Sequence, residues 1–323
     1  MTYVDVAVAN QDLENRIRAL QASIEQIIKG KPQVVELAVV ALLARGHVLI
    51  EDVPGVGKTT LAHALARSLD CSFHRIQFTS DLLPSDLTGV SIFNQADQQF
   101  EFRKGPLFAN VVLTDEINRT TPKTQSALLE AMSEGKITVE GQTHSLPQPF
   151  MVIATQNPIE HHGTYPLPDS QLDRFQMRLQ MGYPSREDEK QILRSHISYD
   201  TAEQLEPVVT AGQILEAQKL VETVEVEEIL LDYLMMLVQA TRENEFLELG
   251  VSPRGAMALY RVAQAKAFLD GRRFCIPDDI KQQAIPAFSH RVIVSSKYSS
   301  PLRKSEEAES IIRQLVEEVE VPL

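Results

Sequence analysis

Ten residues, Glu51 to Thr60, read EDVPGVGKTT. They follow the apolar run His47-Val48-Leu49-Ile50 and precede the helix-like stretch Leu61-Ala62-His63-Ala64-Leu65-Ala66. Strand, glycine turn and helix are the context a phosphate-binding loop requires. That loop belongs to parallel α/β sheets, so few other folds remain open to the chain. Gly55 and Gly57 let the backbone turn its N–H groups toward a β-phosphate. The N-terminus of the next helix adds partial positive charge at the same spot. Lys58 supplies a mobile cation for the β- and γ-phosphates, and the Thr59 hydroxyl is suited to Mg²⁺. The strict pattern G-x-x-x-x-G-K-[ST] asks for glycine at position 52, where this chain has Asp52.

A second segment, VVLTDEINR at 111–119, supports the first. Val111-Val112-Leu113-Thr114 reads as a buried strand ending in two adjacent carboxylates. On a strand beside the phosphate-loop strand, Asp115 holds the Mg²⁺ shell and Glu116 orients a water for attack on the γ-phosphate. A third strand, 150–155, runs into Gln156-Asn157-Pro158. If it also neighbours the phosphate-loop strand, Asn157 reaches the attacking water. An asparagine before proline also serves turns for purely structural reasons.

Elsewhere, apolar residues recur at helical spacing over 11–44, interrupted at Gly30, and again over Pro122–Ser133. Short strands are expected at 75–78 and 175–179. Strands alternating with helices over 30–180 imply a parallel sheet covered on both faces. Two hairpins interrupt it: 90–93 with 99–102, and 136–139 with 143–146 around Glu140-Gly141-Gln142. They are either decoration or surfaces that contact something else. From Tyr183 onward amphipathic helices dominate, near 185–198, 212–222, 226–243, 253–269, 277–290 and 306–319. Ser185 with Asp188 forms a capping signature, and Ser252-Pro253 places a cap beside a first-turn proline. The division expected is 1–182 for N-terminal helices plus nucleotide-binding core, and 183–323 for an all-helical lid.

Composition bounds the rest. With 43% hydrophobic and 23% charged residues the chain is ordinary globular material. No secretory signal is visible at the N-terminus, and no segment reaches the ~18–20 apolar residues of a membrane span. Cys71 and Cys275 lack C-x-x-C spacing, which fits reduced thiols in a cytoplasmic protein. A net charge of −13 argues against general nucleic-acid binding. His161-His162 is the only histidine pair, and adjacent loop residues rarely chelate a metal alone.

Two arginines remain. Arg174 lies in Gln171-Leu172-Asp173-Arg174-Phe175, where it either reaches a neighbouring subunit's nucleotide or forms a surface salt bridge. Arg254 lies in the first turn of a helix, where the dipole disfavours a cation unless it has an anionic partner.

LIEDVPGVGKTTLA (49–62), VVLTDEINRTTPKTQSALLEAMSEG (111–135), ATQNPIEHHGTYPLPDSQLDRF (154–175) and GVSPRGAMAL (250–259) together resemble a MoxR-type AAA+ ATPase of the helix-2-insert clade. The resemblance runs from about Ile27 to Val294, and Asp52 resembles the usual form in that family. It implies a P-loop NTPase αβα core with a five-stranded parallel sheet, then a helical lid. The two hairpins correspond to the helix-2 insert and the pre-sensor-1 hairpin. It implies ATP with Mg²⁺, held by Pro54, Gly55, Val56, Gly57, Lys58, Thr59 and Thr60. Lys29 and Gly30 would lie near the adenine. Thr59 and Asp115 would serve the metal, the latter through water. Glu116 would be catalytic, with Asn157 as sensor 1, Arg174 as arginine finger and Arg254 as sensor 2. Such proteins form homo-oligomeric rings, commonly hexamers. They act with a separate von Willebrand factor A domain protein in chaperone-like maturation or metal-cofactor insertion. A magnesium-chelatase-like motor subunit and a slow-hydrolysing nucleotide-gated scaffold are the alternatives. A DNA helicase fits less well, because the second hairpin's tip, Glu140 to His144, is not basic.

Overall fold

The computed structural model describes residues 3–157, 164–195, 202–295 and 304–322. The His161-His162 pair and the end of the helix expected at 185–198 lie outside them. Two helices open the chain, α1 (Tyr3–Ile27) and α2 (Pro32–Leu43), broken at Gly30, which takes a left-handed φ of 70°. Eight residues of α2 are buried, from Val34 to Leu43, so it is an interior helix rather than an amphipathic one.

The central sheet is parallel and five-stranded, in the order β2-β5-β8-β1-β9. Its strands are β1 (Val48–Glu51), β2 (Phe73–Gln77), β5 (Val111–Asp115), β8 (Met151–Gln156) and β9 (Met177–Leu179). β5 is buried along its whole length and β8 along all but Gln156, as parallel strands covered on both faces must be. The two-residue period sorts their side chains. Val48 and Ile50 enter the cluster under α1, α2 and α3 (Lys58–Ser68), while Leu49 enters the cluster shared by α4 (Pro84–Thr88) and α5 (Pro122–Glu134).

One sequence expectation changes here. The acidic strand β5 does not adjoin the phosphate-loop strand, because β8 pairs with both and separates them. Parallel strands joined by long crossovers need not be neighbours in space, so chain order left this open.

Both hairpins form: β3 (Gly89–Asn94) with β4 (Gln99–Lys104), and β6 (Lys136–Val139) with β7 (Gln142–Ser145). Gln142 belongs to the strand, and the second turn is Glu140-Gly141 alone, both at positive φ. The Phe102 ring stacks on His144 at 4.1 Å, tying the hairpins into one projection. Phe93 and Phe100 stand exposed beyond it, in edge contact at 5.4 Å.

Past Gly182 the described chain is helical: Arg186–Ser195, Ala211–Val221, Glu228–Glu243, Pro253–Leu269, Pro277–Phe288 and Lys304–Glu318. The lid is helical as expected and also carries a short antiparallel pair of β10 (Leu247–Leu249) and β11 (Ile293–Val294). Strands this short, paired across some forty-five residues, leave no periodic signal. Helix 253–269 packs on α2 and α1, and helix 277–288 packs on β9. Leu259, Val262, Phe268 and Ile280 therefore join the same apolar cluster as α1–α3. The lid is docked on this flank of the core.

Candidate functional site

β1 delivers the chain to the phosphate loop, and α3 begins at Lys58. Gly55 and Gly57 have φ of 84° and 97°. An added Cβ at Gly55 would meet nothing within 4 Å, so glycine is required there by conformation rather than space. Gly57 is the N-cap of α3, and no side chain caps that end. The first N–H groups of the helix thus remain for an anion.

The loop opens on a cleft of about 330 Å³. Pro54, Gly55, Gly57, Lys58, Thr59 and Thr60 line one side, and Asp115, Glu116 and Asn157 line the other. A second cavity of about 190 Å³ shares Gly55, Gly57 and Thr60 with it. Val56, Ile27, Ile28 and Met181 give this end an apolar lining, to which Lys29 and Lys31 also contribute. Gly30 is not part of the lining. A Cβ there would come within 2.1 Å of the Asp188 carboxylate, so its role is close packing with the helix at 186–195.

The acids are held in place. The Asp115 carboxylate accepts from Thr155 Oγ1 at 3.2 Å and pairs with Arg75 Nε at 2.7 Å. Glu116 has a left-handed φ of 59°, which glycine tolerates and glutamate adopts only under constraint. Its backbone N–H donates to Thr155 Oγ1 at 3.0 Å, and its Oε2 accepts from Gln77 Nε2 at 2.7 Å. Arg119 lies 3.3 Å from the same oxygen. Arg75, Gln77 and Thr155 therefore belong to the site although no motif marks them. The one usable signal is periodicity: Arg75 and Gln77 alternate along β2 and pair in register with Leu113 and Asp115.

Lys58 Nζ donates to the carbonyls of Asp52 at 2.8 Å and Val53 at 3.2 Å. Burial lowers its pKa below the ordinary value, despite the opposing charges of Asp52, Asp115 and Glu116. A net lowering beside three carboxylates marks a cation that an incoming phosphate would stabilise further.

Arg174 and Arg254 line neither cavity. Arg174 Nη1 donates to Leu129 O at 2.7 Å and Ser133 Oγ at 2.6 Å, near the C-terminal end of α5. Cations are favoured there by the helix dipole. The salt bridge open to Arg174 on sequence is not the contact it makes. Arg254 is 58% exposed and lies 3.6 Å from the Asp173 carboxylate, the anionic partner its helix position calls for. Ser252 caps the same helix by accepting from Gly255 N–H at 3.1 Å, and donates its own hydroxyl to Asp173 at 3.0 Å. Asp173 thus meets Ser252 and Arg254 where core and lid touch.

Among the described residues, no cluster of three or more His, Cys, Asp or Glu forms a metal cage. A threonine hydroxyl, one carboxylate and a phosphate-binding loop instead suit a small divalent cation shared with phosphates and water. Also among the described residues, no helix is long and apolar enough to cross a membrane.

Residues 47–177 match the family model for ATPases associated with various cellular activities, and residues 239–315 match an AAA lid domain. The chain is 48% identical to protein YeaC of Bacillus subtilis, over 97% of both chains. It is 40% identical to the chaperone MoxR1 of Mycobacterium tuberculosis, over 84% of this chain and 74% of that one. A crystal structure from Cytophaga hutchinsonii, described as a candidate ATPase, covers 99% of both chains with a TM-score of 0.88 at 36% identity.

Proposed function

The chain belongs to the MoxR-type AAA+ ATPases, and we propose that it hydrolyses ATP to remodel partner proteins. One observation carries this reading: Lys58, Thr59, Asp115, Glu116 and Asn157 converge on a single cleft beside an uncapped helix N-terminus. Bound ATP with Mg²⁺ supplies the phosphoryl bond to be broken and neutralises part of its charge. The N–H groups of Gly55 to Thr60 and the Lys58 ammonium hold the phosphates. The Thr59 hydroxyl and Asp115, the latter through water, serve the metal. Glu116 orients a water and takes its proton, with Gln77 fixing the carboxylate's rotamer. Asn157 donates to the same water. The apolar-lined end of the cleft, to which Lys29 also contributes, takes the base.

Arg174 and Arg254 act on the nucleotide of the next subunit in a ring, commonly a hexamer for this family. Their absence from their own cleft supports this. The paired hairpins, with Phe93 and Phe100 exposed, supply a surface for the client. A separate von Willebrand factor A domain protein is the expected partner, in maturation or metal-cofactor insertion in the cytoplasm.

The slow scaffold is the second reading because Asp115 and Glu116 are both engaged by arginines. Steady-state phosphate release, with Lys58→Ala as the control, separates the two. Turnover of about 0.1 per second or more that is abolished in Lys58→Ala supports the motor. Nucleotide binding without turnover favours the scaffold.

A further inference from the structure

Asp52 occupies the position where the general phosphate-loop pattern has glycine, and its side chain is put to use. It is 9% exposed. Oδ1 accepts from Val53 N–H at 2.8 Å. Oδ2 accepts from two consecutive N–H groups, Met181 at 2.6 Å and Gly182 at 2.5 Å. Those two residues are the chain's way out of the sheet: β9 ends at Leu179, and helix 186–195 follows. Gly182 has a left-handed φ of 60°, and Lys31 Nζ fastens the next carbonyl, that of Tyr183, at 2.7 Å. On its other side, the Asp52 carbonyl accepts the Lys58 ammonium.

One residue thus touches the phosphate-loop lysine through its backbone and the lid-ward exit through its carboxylate. A glycine supplies only the first contact. We infer that Asp52 is a positioning residue that couples the position of Lys58 to the connection between core and lid. When Lys58 turns toward phosphate, the Asp52 carbonyl loses its donor. The 52–53 peptide, its N–H held by Asp52 Oδ1, then reorients together with the carboxylate, which carries that change to Met181 and Gly182. Met181 also lines the base end of the cleft, so the exit senses both ends of the nucleotide. This inference rests on the reading of the cleft as an ATP site.

The test uses the full chain with Asp52→Gly and Asp52→Asn. Nucleotide affinity is measured with a fluorescent ATP analogue, kcat and KM by phosphate release, and amide hydrogen exchange over 180–195 with and without non-hydrolysable ATP. In wild type, nucleotide changes the exchange of this segment. Asp52→Gly is expected to bind nucleotide within about threefold of wild type, lose that change, and fall about tenfold or more in kcat with KM little altered. Asp52→Asn keeps an acceptor oxygen for the two N–H groups and is expected to restore the change at least in part. A wild-type exchange response in Asp52→Gly overturns the coupling. So does a parallel loss of melting temperature, nucleotide affinity and response, which would make Asp52 a stabilising residue only. Failure of wild type to bind nucleotide overturns the ATP reading itself, and that control is read before any variant.

Discussion

The phosphate cleft and the arginine face around Asp173 use charge in opposite ways. In the cleft, Lys58 is half-buried and its pKa is lowered by burial, so its charge is left for a ligand to complete. At the other face the charges are already answered. Asp173 accepts from Ser252 at 3.0 Å, from the buried Arg291 at 2.9 Å, and lies 3.6 Å from Arg254. Burial pushes the Arg291 pKa down to about 10, with Asp173 opposing that shift. The first arrangement is suited to binding. The second holds lid to core and presents Arg254 on its outside. An open site and a closed clamp make different demands, and substitutions separate them.

The largest expected effect belongs to the clamp. Asp173→Ala leaves the Arg291 guanidinium, only 2% exposed, without its carboxylate, and removes the partner of the Ser252 hydroxyl. Breaking one side of a buried pair costs about 3–5 kcal/mol. Denaturant unfolding should show the lid loosening first. A loss below about 1 kcal/mol would mean the apolar packing of helices 253–269 and 277–288 holds the lid without the clamp.

Next comes the cleft. Glu116→Gln should retain ATP binding and lower turnover by two orders of magnitude or more, roughly 3 kcal/mol of barrier. Lys58→Ala should weaken binding itself, measured by titration with a fluorescent nucleotide. Unchanged hydrolysis in Glu116→Gln removes that residue from the chemistry.

The same contrast explains what could be read from the chain. Gly55, Gly57, Lys58 and Thr59 are fixed by a contiguous turn, and Asp115 and Glu116 by the end of one apolar strand, so short-range spacing reveals them. Arg75, Gln77 and Thr155 take part through sheet register, which depends on β5 and β8 lying side by side. Chain order does not state that adjacency, and it also concealed β8 between β1 and β5. The Asp173–Arg291 pair spans more than a hundred residues and exists only once the lid docks. Helix positions survived translation into three dimensions because their apolar spacing and caps, such as Ser252, are local. The β10–β11 pair did not announce itself, being two or three residues long.

A smaller effect tests whether the clamp reports on the cleft. Arg254 is exposed and lies 3.6 Å from Asp173, longer than a hydrogen bond, so Arg254→Ala should leave the fold intact. If it contacts nucleotide in the assembled protein, its loss removes about 1–3 kcal/mol of coupling between nucleotide and lid. Scattering or lid fluorescence with ADP and with a non-hydrolysable ATP analogue reads this out. Equal responses in wild type and Arg254→Ala would make Arg254 a partner of Asp173 and no more.

The smallest effect is the most informative, because it asks whether one subunit's arginine face serves another's cleft. Arg174 is anchored on Leu129 and Ser133 and lines neither cavity of its own chain. Arg174→Ala subunits keep a complete phosphate loop but present no finger, and Lys58→Ala subunits do the reverse. In an equal random mixture, half of the clefts carry Lys58 and half of the faces carry Arg174. About a quarter of the interfaces then combine both, and a ring should recover about a quarter of wild-type turnover, a deficit of roughly 0.8 kcal/mol. Neither variant alone should show it, and wild-type activity per subunit should rise with protein concentration. If the mixture shows only the mean of its two components, each cleft depends only on its own chain. Arg174 would then be a helix-end cation that stabilises α5, and the two regions would meet through the lid alone.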